Sequence, residues 1–312
     1  MRIVFCGTPE FAVPCLQHFL TLKDFEIAAV FTQPDRPQGR AKEIVSPPVK
    51  KIALAAGIPV HQPEKIRTPE AETILRTIAP EAIAIIAYGQ IIPARLLDIP
   101  RLGWINLHAS LLPKYRGAAP IQWAIANGEA KTGVTTMRID AGMDTGEIVL
   151  QEELEIGARE TTPELAARLA AAGAPLMART LHGLADGSLQ TRAQDNSLAT
   201  TAPILQKEDG RIAWKHTAAE IFRRQRAFTP WPGIYTKFRA QNCQLQGEAV
   251  DGTRADLDAG SLVWDGKDLK VVCGDGSLLR VLHVKVEGRK QVSAQEFGNG
   301  ARMAPGERFG EV

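Results

Sequence analysis

The sequence predicts an α/β fold with a doubly wound, mostly parallel sheet, followed by a smaller domain of short β-strands. Two observations support this division. Up to about residue 150, apolar runs of strand length alternate with segments of helical length, which is typical of βαβ units. From about residue 211, short strands are separated by Gly and Asp turns, which is typical of a small barrel. We therefore expect a Rossmann-like domain and an OB-like β-barrel.

The expected elements of the first domain follow one another along the chain. A buried strand of a parallel sheet reads as a continuous apolar run, and AIAIIAYG is the clearest case. Thr68 and Pro69 suit the start of a helix, and Gly57 suits the end of the preceding one. The expected strands are 2–8, 26–33, 58–63, 82–89, 103–110 and 132–139, and the expected helices are 11–20, 47–57, 68–79 and 119–128.

A long helix and a polar segment close this domain. We expect the helix over 162–187, interrupted near Gly173 and Pro175. The segment after it is polar and lacks periodicity, so we assign residues 1–188 to the first domain, 189–206 to a linker and 207–312 to the barrel. The barrel domain opens with a helix, TAAEIFRRQRAF.

Composition bounds the possible functions. The chain has 312 residues, of which 45% are hydrophobic and 23% charged, as in folded soluble proteins. Its net charge of +2 means that any nucleic-acid contact must come from a local patch. The N-terminal apolar run is too short for a signal peptide, and no stretch approaches the length of a membrane-spanning helix. We expect a cytoplasmic protein with no membrane partner.

Cysteine and histidine spacing argues against disulfides and metals. The four cysteines are widely spaced without a C-x-x-C pair, so we interpret them as reduced thiols. The six histidines form neither an H-x-x-x-H pair nor a Cys/His cluster, so we expect no metal site.

The stretch GWINLHASLLPKYRG carries the first candidate functional residues. Asn106 and His108 are two residues apart on a predicted strand, so both side chains point to one face. Ligands of doubly wound sheets bind outside the carboxyl ends of the strands, which is where this pair lies. A role in capping neighbouring loops explains the pair equally well at this point.

The stretch DAGMDTGEIV follows the next predicted strand and carries two more polar candidates, Asp140 and Asp144. Gly142 and Gly146 allow this loop to turn tightly. If the two strands are neighbours, Asp144 can reach His108 and orient the imidazole. The alternative is a loop cap, which is common for Asp before Thr-Gly.

An Asn, a His and an Asp suit direct acyl transfer between two bound substrates. The sequence has no G-x-S-x-G turn for a serine nucleophile, and no cysteine lies near these residues. An Asn amide and a protonated His can stabilise an oxyanion while a carboxylate assists proton removal from an amine. The turn Gly7-Thr8-Pro9 lacks the G-x-G-x-x-G pattern, which argues against a nicotinamide cofactor.

With these motifs, the sequence resembles the methionyl-tRNA formyltransferases, a branch of the folate-dependent formyltransferases. The similarity covers MRIVFCGTPEFAVPCL, TQPDRPQGRAKEIVSPPVK, NLHASLLPKYRGAAP, DAGMDTGEI and RAFTPWPG. It implies transfer of a formyl group from 10-formyltetrahydrofolate to the methionyl group of initiator tRNA, with no metal. By position, it implies a catalytic trio of Asn106, His108 and Asp144.

The resemblance also implies binding residues for both substrates. Ser110, Leu111, Leu112 and Pro113 match the segment that lines the folate site. Arg40 matches a basic loop that contacts the tRNA acceptor end, and we add Arg36 and Lys42 from the same loop. A solvated basic loop is the alternative interpretation. Lys114 and Arg116 are further candidates for attracting the folate glutamates or the tRNA.

Two other functions remain open from the sequence. The acceptor of the formyl group could be a small amine or water, in which case the second domain would not be required. The chain could instead be a folate- or RNA-binding module without activity, although Asn106, His108 and Asp144 are all present. No feature of the sequence indicates a dimer, and we expect a monomer.

Overall fold

The computed structural model describes residues 1–38, 43–304 and 306–310, and its contacts divide the chain into two units. Unit 1 comprises residues 1–120, 131–155 and 164–203, and unit 2 comprises residues 121–130, 156–163 and the chain from 204 onward. The α/β fold and the separate antiparallel domain are confirmed. The linear boundaries expected at 188 and 206 stay a prediction.

Unit 1 is built around a mixed sheet. The strands of the sheet are β1 (Arg2–Gly7), β2 (Glu26–Phe31), β5 (Val60–His61), β6 (Ala82–Ile86), β7 (Trp104–His108), β8 (Lys131–Arg138) and β9 (Ile148–Glu155). Two further strands, β3 (Arg36–Gln38) and β4 (Glu43–Val45), form a separate small hairpin. The helices over the same part of the chain are α1 (Val13–Thr21), α2 (Pro48–Ala55), α3 (Pro69–Ile78), α4 (Ala94–Leu97), α5 (Pro120–Ala126) and α6 (Thr162–Ala185). Residues 121–126 of α5 and the first two residues of α6 belong to unit 2.

The strand order is β5-β2-β1-β6-β7-β8-β9, and the first five strands are parallel. The order reverses between β1 and β6, so β7 lies one strand beyond the switch point. Every residue of β6 is buried, as the apolar run predicts. At the start of α3, the Thr68 hydroxyl accepts a hydrogen bond from the Ala71 amide, which confirms the predicted cap.

The direction of β8 differs from the expected parallel arrangement. β8 is the neighbour of β7, as required for the candidate site, but it runs antiparallel, with His108 opposite Thr135. β9 returns antiparallel to β8. A buried strand has the same apolar pattern in either direction, so no feature of the sequence indicates this reversal.

Helix α6 passes through Gly173 and Pro175 without the interruption that we expected. A Cβ on Gly173 would lie 2.4 Å from Cδ2 of Leu107, so the glycine allows α6 to approach β7 closely. Pro175 lacks the amide that would bond to the carbonyl of Ala171. Ala171 and Pro175 are both exposed, so water can hydrate the carbonyl of Ala171.

The elements of unit 2 are β10 (Ile234–Phe238), β11 (Gln241–Thr253), β12 (Leu262–Trp264), β13 (Leu269–Val272), β14 (Ser277–Val286) and β15 (Val292–Ser293), with α7 (Ala218–Ala227) and α8 (Ala294–Ala301). The strands form an antiparallel sheet with the order β10-β11-β14-β13-β12, and β15 pairs with β14. Three aromatic rings, from Phe238, Phe297 and Phe309, contact one another in its core.

Unit 2 also includes two segments from earlier in the chain. Arg226 on α7 is buried, and its guanidinium donates to the carbonyls of Gly157 and Glu160 at 3.0 and 2.9 Å. The Thr162 hydroxyl donates to the carbonyl of Ala227 at 2.6 Å. Removing the chain after residue 203 would therefore remove the hydrogen-bond partners of Gly157, Glu160 and Thr162. A loss of activity after such a truncation would not show what unit 2 does.

Candidate active site

Strand β7 supplies two of the three predicted catalytic side chains. Leu107 points to the face covered by α6, so Asn106 and His108 project from the opposite face. His108 is buried and Asn106 is half-buried. Within the described residues, no protein group forms a hydrogen bond with the Asn106 amide. A half-buried amide without a protein partner fits a site that binds a polar substrate atom.

Both ring nitrogens of His108 face oxygen atoms. Nε2 lies 2.9 Å from the carbonyl oxygen of Tyr115. Because a carbonyl oxygen only accepts hydrogen bonds, Nε2 carries a hydrogen. Nδ1 lies 3.7 Å from Oδ2 of Asp144, which is too long for a hydrogen bond but close enough for strong electrostatic attraction to an imidazolium. The ring is therefore held through Nε2, with Nδ1 turned toward Asp144.

Asp144 lies in the acidic loop, which we define as residues 139–147 between β8 and β9. Its Oδ2 accepts a hydrogen bond of 2.8 Å from the backbone amide of Gly117. The residue has a φ of 55°, a left-handed conformation that is strained for a side chain other than glycine. The fold therefore brings Asp144 to His108, as the sequence predicts.

Asp140 has the loop-capping role that was the alternative for Asp144. Its carboxylate accepts hydrogen bonds from the Gly142 amide at 3.0 Å and from the Thr145 hydroxyl at 2.7 Å. A Cβ on Gly146 would lie 1.8 Å from the carbonyl oxygen of Arg138, so only glycine fits where the loop closes.

The four residues expected to line a folate site, 110–113, differ in how deeply they are buried. Ser110 is fully buried, with its hydroxyl donating to the carbonyl of Lys114 at 2.6 Å, and Leu112 is buried as well. Leu111 and Pro113 are half-buried. Ser110 and Leu112 are thus in the interior, where they fix the loop after β7, and the folate-binding role of this segment stays a prediction.

The basic loop is described only in part. Arg36 is exposed on β3, and its guanidinium forms an ion pair of 2.6 Å with Glu64. A surface ion pair of this kind contributes at most about 1 kcal/mol, so a phosphate can replace the Glu64 carboxylate. Lys50 binds Asp35 at 2.7 Å, and this hydrogen bond lowers the pKa of Asp35. The other two predicted tRNA contacts, Arg40 and Lys42, lie outside the described residues.

Arg116 forms hydrogen bonds within unit 1, and its suggested attraction of the folate glutamates or the tRNA stays a prediction. Its guanidinium donates to the side-chain oxygens of Gln194 and Asn196, at 2.7 and 2.8 Å from Nη2. Sequence reasoning missed Gln194 altogether, because it lies in a polar segment without periodicity or motif. Only the three-dimensional contacts connect it with the site.

The burial of all four thiols argues against a cysteine nucleophile. All four cysteines are free and buried. Burial raises the pKa of Cys243 to about 11 and that of Cys273 to about 12, so both remain protonated at neutral pH.

Among the residues that the structure describes, no group of three or more His, Cys, Asp or Glu side chains could hold a metal, and no helix is sufficiently long and apolar to cross a membrane.

A Rossmann-like sheet with Asn106 and His108 at the end of β7, and Asp144 beside His108, is the arrangement expected of a group-transfer enzyme. Residues 1–181 match the formyl transferase family, and residues 204–302 match the formyl transferase C-terminal domain. The chain is 49% identical to the methionyl-tRNA formyltransferase of Acidobacterium capsulatum, over 99% of this chain and all of that protein. It is 50% identical to the Solibacter usitatus enzyme of that name, over 100% of this chain and 99% of the relative.

These matches show that the chain belongs to the methionyl-tRNA formyltransferase family of formyl transferases. The fold is also that of the N-formyltransferase from Helicobacter canadensis, with a TM-score of 0.64 and 20% identity. That alignment covers 89% of this chain and 98% of the other. The resemblance stated from the motifs is confirmed.

Proposed function

We propose that this protein transfers the formyl group of 10-formyltetrahydrofolate to the α-amino group of methionine on initiator tRNA. The main support for the proposal is that Asn106, His108 and Asp144 lie together in a chain of the methionyl-tRNA formyltransferase family. We further propose that the protein acts as a monomer in the cytoplasm.

Chemistry at this site needs no covalent enzyme intermediate. The amine nitrogen bonds to the formyl carbon, the bond from that carbon to N10 of the donor breaks, and N10 gains the proton that the amine loses. A negative charge develops on the formyl oxygen before the bond to N10 breaks. Hydrogen bonds that strengthen as this charge develops lower the barrier.

Each member of the trio has a distinct part in this scheme. The Asn106 amide, which lacks a described protein partner, donates to the formyl oxygen. His108 donates to the same oxygen through Nδ1, while its Nε2 remains fixed by the carbonyl of Tyr115. Asp144 stabilises the imidazolium and takes the proton that the amine loses, and this proton then passes to N10 of the donor as the bond from the formyl carbon to N10 breaks.

The proposal is tested by mixing the protein with labelled 10-formyltetrahydrofolate and either methionyl initiator tRNA or free methionine. Transfer to the charged tRNA, with little or none to free methionine, is the expected result. Comparable catalytic efficiency with the free amino acid would contradict the proposed acceptor and favour a small amine.

We propose that unit 2 contacts the RNA through a cleft of about 240 Å³ beside the TPWPG motif. The walls of the cleft carry amide, imidazole and ammonium groups, from Gln225, Gln244, Gln246, Gln291, His283 and Lys285. Amides can bond to base edges, and an ammonium group can meet a phosphate. Trp231, between two prolines that line the cleft, is 55% exposed and offers a surface on which a base can stack.

Trp231→Ala is expected to raise the KM for tRNA by about 10-fold, because loss of one base–aromatic stack typically costs about 1–3 kcal/mol. The kcat at saturating tRNA should stay unchanged. Steady-state kinetics with varied tRNA measure both constants. Leu282→Ala, at another exposed apolar residue of unit 2, is the matched control. An unaltered KM in the Trp231 variant would exclude this surface.

A further inference from the structure

We infer that Gln194 is a positioning residue for formyl transfer, because its side chain holds the acidic loop that carries Asp144. The inference rests on the proposed function, which gives Asp144 its catalytic role. Gln194 lies in what we call the return segment, residues 190–203. This segment falls between the two ranges that match formyl transferase domains, 1–181 and 204–302.

The Gln194 amide binds the acidic loop with both of its hydrogens. Nε2 lies 2.8 Å from the carbonyl oxygen of Asp144 and 2.7 Å from that of Gly146. A side-chain amide has two N–H donors, so this pair of contacts uses the full donor capacity of the group. The two carbonyls flank Thr145, and the loop is therefore held at the residue whose carboxylate faces His108.

The orientation of this amide is fixed from the other side. Oε1 of Gln194 accepts hydrogen bonds from Nε and Nη2 of Arg116, at 3.1 and 2.7 Å. A guanidinium can only donate, so the oxygen must face Arg116 and the NH₂ group must face the loop. Gln194 is half-buried, and only this orientation of its side-chain amide satisfies all four hydrogen bonds.

Backbone hydrogen bonds tie the return segment to the residues that contact the trio. The amide of Arg116 donates to the carbonyl of Thr200 at 2.9 Å, and the amide of Ala202 donates to the carbonyl of Arg116 at 2.7 Å. The neighbours of Arg116 in sequence are Tyr115, whose carbonyl binds His108, and Gly117, whose amide binds Asp144. Gln194 thus connects both sides of the His108–Asp144 pair.

The backbone of Asp144 needs such support. Its left-handed conformation is tolerated by aspartate better than by most residues but still costs free energy, so contacts from neighbouring residues help to hold it. Without the two hydrogen bonds from Gln194, the loop can relax and carry the carboxylate away from Nδ1 of His108. Because transfer depends on where that charge lies, the effect should fall on kcat rather than on substrate binding.

The test uses the full-length protein with 10-formyltetrahydrofolate and methionyl initiator tRNA. Gln194→Ala is expected to lower kcat by about 100-fold with little change in either KM, which is the size of effect expected for displacement of a catalytic group by about 1 Å. Gln194→Glu should give a similar loss, because it keeps the acceptor toward Arg116 but removes the donors toward the loop. A kcat within about threefold of the wild-type value in both variants would overturn the inference.

Gln190→Ala is the matched control, since it removes an exposed glutamine from the same segment, and it should leave kcat unchanged. A double-mutant cycle separates positioning from general loosening of the fold. If Gln194 acts through Asp144, Gln194→Ala should lower kcat by less than about threefold in an Asp144→Asn background. The same loss in both backgrounds would show a merely structural role and overturn the inference.

Hydrogen exchange at the Gly117 amide gives a readout that does not depend on turnover. This amide donates to Asp144, so Gln194→Ala should accelerate its exchange while Gln190→Ala should not. If Gln194→Ala accelerates exchange but the wild-type protein transfers no formyl group, the proposed function is wrong, while the role of Gln194 in supporting the acidic loop stands. Unchanged exchange would overturn the inference whatever the transfer assay shows.

Discussion

His108→Ala is expected to lower the kcat of formyl transfer by about 1,000-fold, because it removes both a hydrogen-bond donor to the oxyanion and the positive charge beside Asp144. The KM values for donor and tRNA should change little, since the imidazole acts mainly in the transition state. Steady-state kinetics with each substrate varied in turn measure these constants, and the melting temperature reports whether the fold is intact.

His182 provides a matched control for this substitution. It forms a second histidine–aspartate pair in unit 1, with Nε2 at 2.6 Å from Oδ2 of Asp24, on the exposed surface of α6. His182→Ala also removes an imidazole from a carboxylate partner, but it should leave kcat unchanged. If both variants kept near-normal kcat, His108 would have no part in the chemistry.

Asp144→Asn is expected to lower kcat by about 100-fold, because it removes the negative charge that stabilises the imidazolium and accepts a proton. The amide oxygen of an asparagine can still accept the hydrogen bond from Gly117, so the loop should keep its conformation. The expected loss is therefore electrostatic, and rapid-quench measurement of single-turnover rates isolates it from product release.

Asp140→Asn is the corresponding control in the same loop. Asp140 binds Gly142 and Thr145, and its asparagine variant retains an acceptor for both. Its single-turnover rate should remain within about threefold of the wild-type rate. Equal losses for the two aspartates would indicate that the loop as a whole, rather than the carboxylate of Asp144, sets the rate.

The sequence predicts much of this site because its polar residues interrupt apolar patterns. Asn106 and His108 end a buried strand, and the glycines around Asp144 mark a tight loop, so both features are visible locally. A parallel β8 would place this loop at the carboxyl end of β7, beside His108. Because β8 is antiparallel, the loop begins beside Trp104 at the other end of β7, and its fold still brings Asp144 to His108.

The features that sequence reasoning did not find depend on contacts between distant residues. Helix α6 tolerates Gly173 and Pro175 because one meets Leu107 closely and the other lies on the exposed side. The contacts of Gln194 join residues that are about 50 and 80 positions away, and no local pattern reports such contacts.

Comparison of two methionine-charged tRNAs, initiator and elongator, tests the central claim most directly. Both carry the same amine, so the chemistry of transfer is identical and only recognition of the RNA differs. Formylation of the initiator tRNA, with the elongator tRNA left unmodified under the same conditions, is the result that we predict. Equal formylation of both, or transfer to neither by a protein that still binds the folate donor, would contradict the account.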